Sequence, residues 1–79
     1  MEDRRDRLRA LGELFRQLRK GAGLTGKDLA LRASVAKPTI SRIETGRLLP
    51  TPETVDRLST ALELNDVDRG RLAQLDRLA

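Results

Sequence analysis

Apolar residues recur along the first stretch of the chain at helical spacing. Leu8, Leu11, Leu14, Phe15 and Leu18 stand three or four apart, the period that gathers side chains on one face of an α-helix. The segment from about residue 3 to 20 has no proline and few β-branched residues, and Gly21 and Gly23 follow it, so a first helix is predicted to stop there. Its opposite face carries Arg4, Arg5, Arg9, Arg16 and Lys20. The second helix has a marked start. Thr25 is a good N-cap, Asp28 three residues on completes a capping box, and Leu24 and Leu29 are spaced as a hydrophobic staple. The pattern runs through Ala30 and Ala33 and breaks at Ser34-Val35-Ala36. Ile40 and Ile43 open a third helix. Pro38 fits only its first turn and pushes Lys37 out of the α region. That helix should start at Lys37 or Pro38 and end near Thr45, with Gly46 just past it.

Thr51-Pro52-Glu53 combines an N-cap, an N1 proline and a first-turn acid, so a fourth helix is predicted there. Val55, Leu58 and Leu62 line its apolar face, and Leu64-Asn65 should close it. Asp66 is placed to cap a last helix bearing Val67, Leu72, Leu75 and Leu78, weakened inside by Gly70. Five helices and no strand predict an all-α fold. At 79 residues the chain has room for one domain. It holds no Cys and no His, which removes disulfides, zinc sites of the usual kind and the commonest acid–base catalyst. No cofactor is expected. No apolar stretch is long enough for a signal peptide or a membrane span, so a cytoplasmic, nucleoid-associated protein with no membrane partner is expected.

Charge adds a direction. Residues 1–47 hold 12 basic and 6 acidic side chains, whereas residues 48–79 hold 4 and 6. A basic front and a mildly acidic back point to one surface for a polyanion and another for something else. Of the 16 cations 13 are Arg, whose fork suits phosphate and guanine; GC-rich codons would produce the same excess.

Two short helices joined by three or four residues, the second bounded by Pro38 and Gly46, form a helix-turn-helix. The stretch Leu24-Thr25-Gly26-Lys27-Asp28-Leu29-Ala30, followed by Val35-Ala36-Lys37-Pro38-Thr39-Ile40-Ser41-Arg42-Ile43-Glu44-Thr45-Gly46-Arg47, resembles the Cro/C1-type (XRE) DNA-binding family. Pro50-Thr51-Pro52-Glu53-Thr54-Val55 is similar to that family's entry into its fourth helix, and the resemblance covers about residues 8–64. It implies a five-helix, lambda-repressor-like fold, with a helix-turn-helix DNA-binding domain over residues 1–64 and residues 65–79 as a C-terminal helix, a dimerisation element or the lead into a further domain.

In such a motif the second helix enters the major groove and the first crosses the backbone. With Ile40 and Ile43 inward, Lys37, Pro38, Ser41 and Arg42 stay exposed, with Thr39 beside them, as candidate base contacts. Arg42 can fork onto guanine O6 and N7; Lys37 can reach a guanine or a phosphate. An ordinary solvated arginine is the bland alternative for Arg42. The resemblance implies phosphate contacts at Thr25, Gly26 and Lys27, and at Thr45 and Arg47. It also implies an ion pair between Arg19 and Glu44. Three positions depart from the family: Gly26 where Gln is common, Ser34 where Gly usually turns the chain, and Ala36, which cannot cap as Ser or Thr would.

One domain of this kind reads few base pairs, so a homodimer on a two-fold operator is expected. Leu72, Leu75 and Leu78 form an apolar edge that could pair with a twin, pack on the domain's own core or meet a further protein or C-terminal domain, as in longer actinobacterial-type regulators. The leading reading is a transcriptional regulator, repressor or autoregulator. The alternative is an antitoxin-like or co-regulator module that binds protein on the same fold. Exposed Lys37, Ser41 and Arg42 disfavour that, because a protein-binding helix shows apolar anchors. Scattered carboxylates with no His, Cys or Tyr leave no basis for an enzyme.

Overall fold

The chain's capping residues set its architecture. In the computed structural model, which describes residues 4–78, the helices are α1 (Arg4–Gly21), α2 (Gly26–Ala33), α3 (Lys37–Glu44), α4 (Pro52–Ala61) and α5 (Asp66–Leu78), with no strand among the described residues. The capping box at α2 is complete: the Thr25 hydroxyl accepts from the Asp28 N–H at 3.1 Å, and the Asp28 carboxylate accepts from the Thr25 N–H at 3.1 Å. Thr51 caps α4 in the same way through the Thr54 N–H. Asn65, not Asp66, caps α5, its side-chain oxygen accepting from the Asp68 N–H at 2.8 Å. Asp66 is already inside the first turn, where its charge suits the positive end of the helix dipole.

The first four helices end in one geometry. After each, a residue in the left-handed region lets the next N–H reach back to a carbonyl five residues earlier, the Schellman pattern. The bonds are Leu24 N–H to Arg19, Val35 to Ala30, Arg47 to Arg42 and Leu64 to Ser59. The left-handed positions are Gly23, Ser34, Gly46 and Glu63, at φ 72°, 56°, 74° and 54°. Ser34 bears out the expected non-glycine turn. Glu63 shows that α4 stops before Leu62, a turn earlier than the apolar pattern implied.

α1 packs on α3 and α5, α2 on α3 and α4, and α4 on α5. They enclose one core: Leu11, Leu14 and Phe15 from α1, Leu29, Ala30 and Ala33 from α2, Ile40 and Ile43 from α3, Val55 and Leu58 from α4 with Leu62, and Leu72 from α5. Leu72 is wholly enclosed, and Leu75 packs partly buried against the same cluster. Of the alternatives open for this edge, packing on the domain's own core is the one observed, and Leu72 is thereby removed from the possible dimer surface: a core this small needs a lid, and α5 supplies it. The Leu78 side chain lies outside the described residues.

α1 meets α3 at Gly12, which is buried on α1. A Cβ built there would overlap the Ile43 carbonyl oxygen and lie 2.8 Å from that of Glu44. Only glycine lets α1 rest directly on the backbone of the last turn of α3.

Candidate nucleic-acid interface

α2 and α3 are joined by Ser34, Val35 and Ala36, and α3 sits across α2 with Ile40 and Ile43 driven into the core at 3% and 2% exposure. Burying those two positions of an eight-residue helix turns the opposite face outward. Lys37, Pro38, Ser41 and Arg42 are all exposed, and Thr39 is half-buried. The outer face of α3 thus carries two cations, a hydroxyl and a compact apolar ring on one short helix.

The start of α3 is the weakly built end. Ala36 makes no side-chain cap, and the turn closes only through the Thr39 and Ile40 N–H groups on the Ala36 carbonyl, at 3.0 and 3.3 Å. The far end is held several times over. Arg19 Nε and Nη2 donate to the two Glu44 carboxylate oxygens at 2.8 and 2.9 Å, and Arg19 Nη1 donates to the Leu24 carbonyl at 3.0 Å. One arginine thereby ties α1 to the end of α3 and to the entry of α2. The two side chains are 15% and 11% exposed, and the carboxylate bond raises the Arg19 pKa further above its ordinary value. The pair expected between these residues is present and largely buried.

The positions proposed for phosphate divide by what their polar groups already do. The Thr25 hydroxyl accepts from Asp28, so its own proton is free to be donated outward. The Gly26 and Lys27 N–H groups stand in the first turn, where a helix offers no acceptor. Lys27 is exposed, and the Lys37 side chain passes over Gly26, its Cε 4.0 Å from where a Cβ would sit. The Lys37 side chain thus ends beside the start of α2. Asp28, whose pKa the Thr25 N–H lowers, already places one negative charge at this helix start. Beyond α3, Arg47 is exposed, but the Thr45 hydroxyl donates to the Ser41 and Arg42 carbonyls at 2.9 and 3.3 Å. Thr45 has to give up those bonds to donate to a phosphate, a cost the sequence did not show.

Among the described residues no group of three or more His, Cys, Asp or Glu side chains could hold a metal ion. No helix there is long and apolar enough to cross a membrane.

A family model described as a helix-turn-helix domain matches residues 10–72. The chain belongs to the helix-turn-helix domain family. The match runs from α1 into α5, so it takes in the whole core, and the Cro/C1-type resemblance read from residues 24–47 agrees with it. No curated protein matches. Among solved structures, the chain is similar to the restriction-modification controller protein C.AhdI from Aeromonas hydrophila, with a TM-score of 0.74 at 24% identity over 78% of this chain and 94% of that one. It is also similar to a point mutant of the restriction-modification controller protein C.Esp1396I, with a TM-score of 0.78 at 24% identity over 99% and 96%. Both confirm the five-helix fold. This is an all-α helix-turn-helix domain.

Proposed function

We propose that this chain regulates transcription from the cytoplasm by binding a specific double-stranded operator, with α3 in the major groove. The observation that carries the reading is the outer face of α3: Ile40 and Ile43 are sequestered while Lys37, Pro38, Ser41 and Arg42 are exposed beside them. Arg42 takes a guanine through its fork, Ser41 and Thr39 hydroxyls meet base or phosphate, and Pro38 presses on a thymine methyl. Lys37 spans the seam between base edge and backbone, since its stem crosses Gly26. Thr25, Gly26 and Lys27 hold one phosphate stretch, and Arg47, with Thr45 once its hydroxyl is released, holds the next. Two copies occupy a two-fold operator, each reading one half-site. The solved neighbours are named as restriction-modification controllers, and a small controller acting on its own or a neighbouring promoter, as a repressor or autoregulator, is the role this fold and surface fit best.

Selecting bound duplexes from a random pool tests the reading. A two-fold motif is expected. Arg42→Ala should cost about 1–3 kcal/mol and relax one position per half-site, whereas Lys27→Ala should weaken all sequences alike. An Arg42→Ala protein with unchanged affinity and an unchanged motif would remove α3 from the recognition role.

A further inference from the structure

Arg5, Arg9, Gly12 and Arg16 fall at steps of four, three and four along α1, so they share one face of that helix. Gly12 is where this face rests on the end of α3. Arg9 continues the contact: its Cα and Cγ lie 3.2 and 3.1 Å from where a Cβ would stand on Gly46. Arg4, Arg5 and Leu8 meet Gly46 around an open depression of about 410 Å³, and exposed Arg47 follows directly. Two elements distant in sequence thus bring Arg4, Arg5, Arg9 and Arg47 to one side of the loop that leaves α3.

These arginines differ from those at the back of the molecule. Ion pairs among the described residues use Arg57 with Glu53, Arg69 with Asp56, and Arg71 with Asp68, and Arg19 with Glu44. Arg4, Arg5, Arg9, Arg16 and Arg47 enter none of those pairs and are exposed. Glu44, whose backbone meets the Gly12 crossing, is already taken by Arg19. A row of exposed guanidinium groups continuous with the end of a groove-entering helix fits a phosphodiester backbone.

We infer that the arginine face of α1, Arg5 and Arg9 together with Arg4, grips DNA phosphates outside the half-site read by α3, lengthening the footprint without adding sequence preference. This rests on the operator reading above. The expected signature is electrostatic, because each phosphate contact contributes about 0.9 to the slope of log affinity against log salt.

The test compares wild type, R5Q/R9Q and R57Q/R71Q, which loses the same charge at the back. Gln keeps the Arg9 Cγ that packs on Gly46, and circular dichroism checks the fold. Each protein is titrated over a salt series against the selected operator, once with flanking duplex and once trimmed to the motif. With flanks, lowering salt from about 200 to about 50 mM should strengthen wild type about tenfold more than R5Q/R9Q. R57Q/R71Q should track wild type, and the selected motif should not change. Trimming the flanks should give wild type the salt slope of R5Q/R9Q, an arm that needs no variant. Equal slopes for wild type and R5Q/R9Q, an equal loss in R57Q/R71Q, or no effect of trimming would each overturn the inference while leaving the operator reading in place. A wild type that enriches no motif would instead strike the operator reading itself.

Discussion

Replacing Gly12 by alanine sets two effects of opposite sign against each other. In a helix interior Ala is favoured over Gly by about 1 kcal/mol. At Gly12 the new methyl group would run into the Ile43 carbonyl oxygen and approach that of Glu44 to 2.8 Å, with the Glu44 carbonyl carbon at 2.9 Å. Carbon and carbonyl oxygen come no closer than about 3.3 Å in ordinary packing, so relieving the tighter Ile43 contact needs α1 and α3 to separate by roughly an ångström. The obstacles are backbone atoms, which have no rotamer to escape into. The overpacking cost should therefore reach the upper part of the usual range, about 3 kcal/mol. Net of helix propensity, G12A should lose about 2 kcal/mol, a fall of roughly 8–16 °C in Tm for a domain of this size. G70A is the control. Nothing lies within 4 Å of a Cβ at Gly70, which is exposed inside α5, so it should gain about 0.5–1 kcal/mol. Thermal melts followed by circular dichroism separate the two. A G12A protein at least as stable as wild type would refute the close crossing of α1 over α3.

Further outcomes follow from other contacts. E44A leaves Arg19 with one of its three hydrogen bonds; because the pair retains slight exposure, the loss should be about 2–4 kcal/mol, below that of a fully buried pair, and a double-mutant cycle with R19M should return a coupling of at least about 1 kcal/mol in chemical denaturation. S34G and E63G, each relieving a non-glycine left-handed residue, should stabilise by up to about 1 kcal/mol, and A36S, adding the missing cap of α3, by about 0.5–2 kcal/mol; melts that show a loss in all three would contradict the turn geometry. Burial raises the Asp76 pKa, and its Oδ1 has no hydrogen-bond partner among the described residues. The fold therefore binds that proton more tightly than the unfolded chain does, a stabilisation present below the ordinary carboxylate pKa and lost as pH rises through the raised one. D76N should accordingly raise Tm at neutral pH and change nothing near about pH 3.

Helix order, the α2 capping box and the inward isoleucines were legible because each rests on local spacing; the arginine–glutamate pair was legible only through the resemblance to a known family. What stayed hidden depends on where distant segments meet. Nothing in the run around Gly12 announces that α3 lies against it, since a glycine inside a helical pattern reads only as a weak point. Glu63 gave no signal, because a left-handed turn without glycine or asparagine leaves no mark in composition. Leu72 could be read as an open edge only while the shape of the core was unknown. Thr45 was legible as a polar residue at the right place, but not as a hydroxyl already engaged by the helix it ends.

The way α3 is held has an evolutionary consequence. Its anchors are the Gly12 crossing, the Arg19–Glu44 bonds and the turn at Gly46, all at or beyond its last turn, together with Ile40 and Ile43 on its inner side. None of the side chains it turns outward, from Lys37 to Arg42, takes part in that anchoring. Replacing Lys37, Ser41 or Arg42 leaves every anchor in place, so vocabulary can change while grammar stays fixed. Under the operator reading proposed above, a lineage built on this scaffold can drift from one operator to another by single substitutions, without passing through an unfolded intermediate sequence.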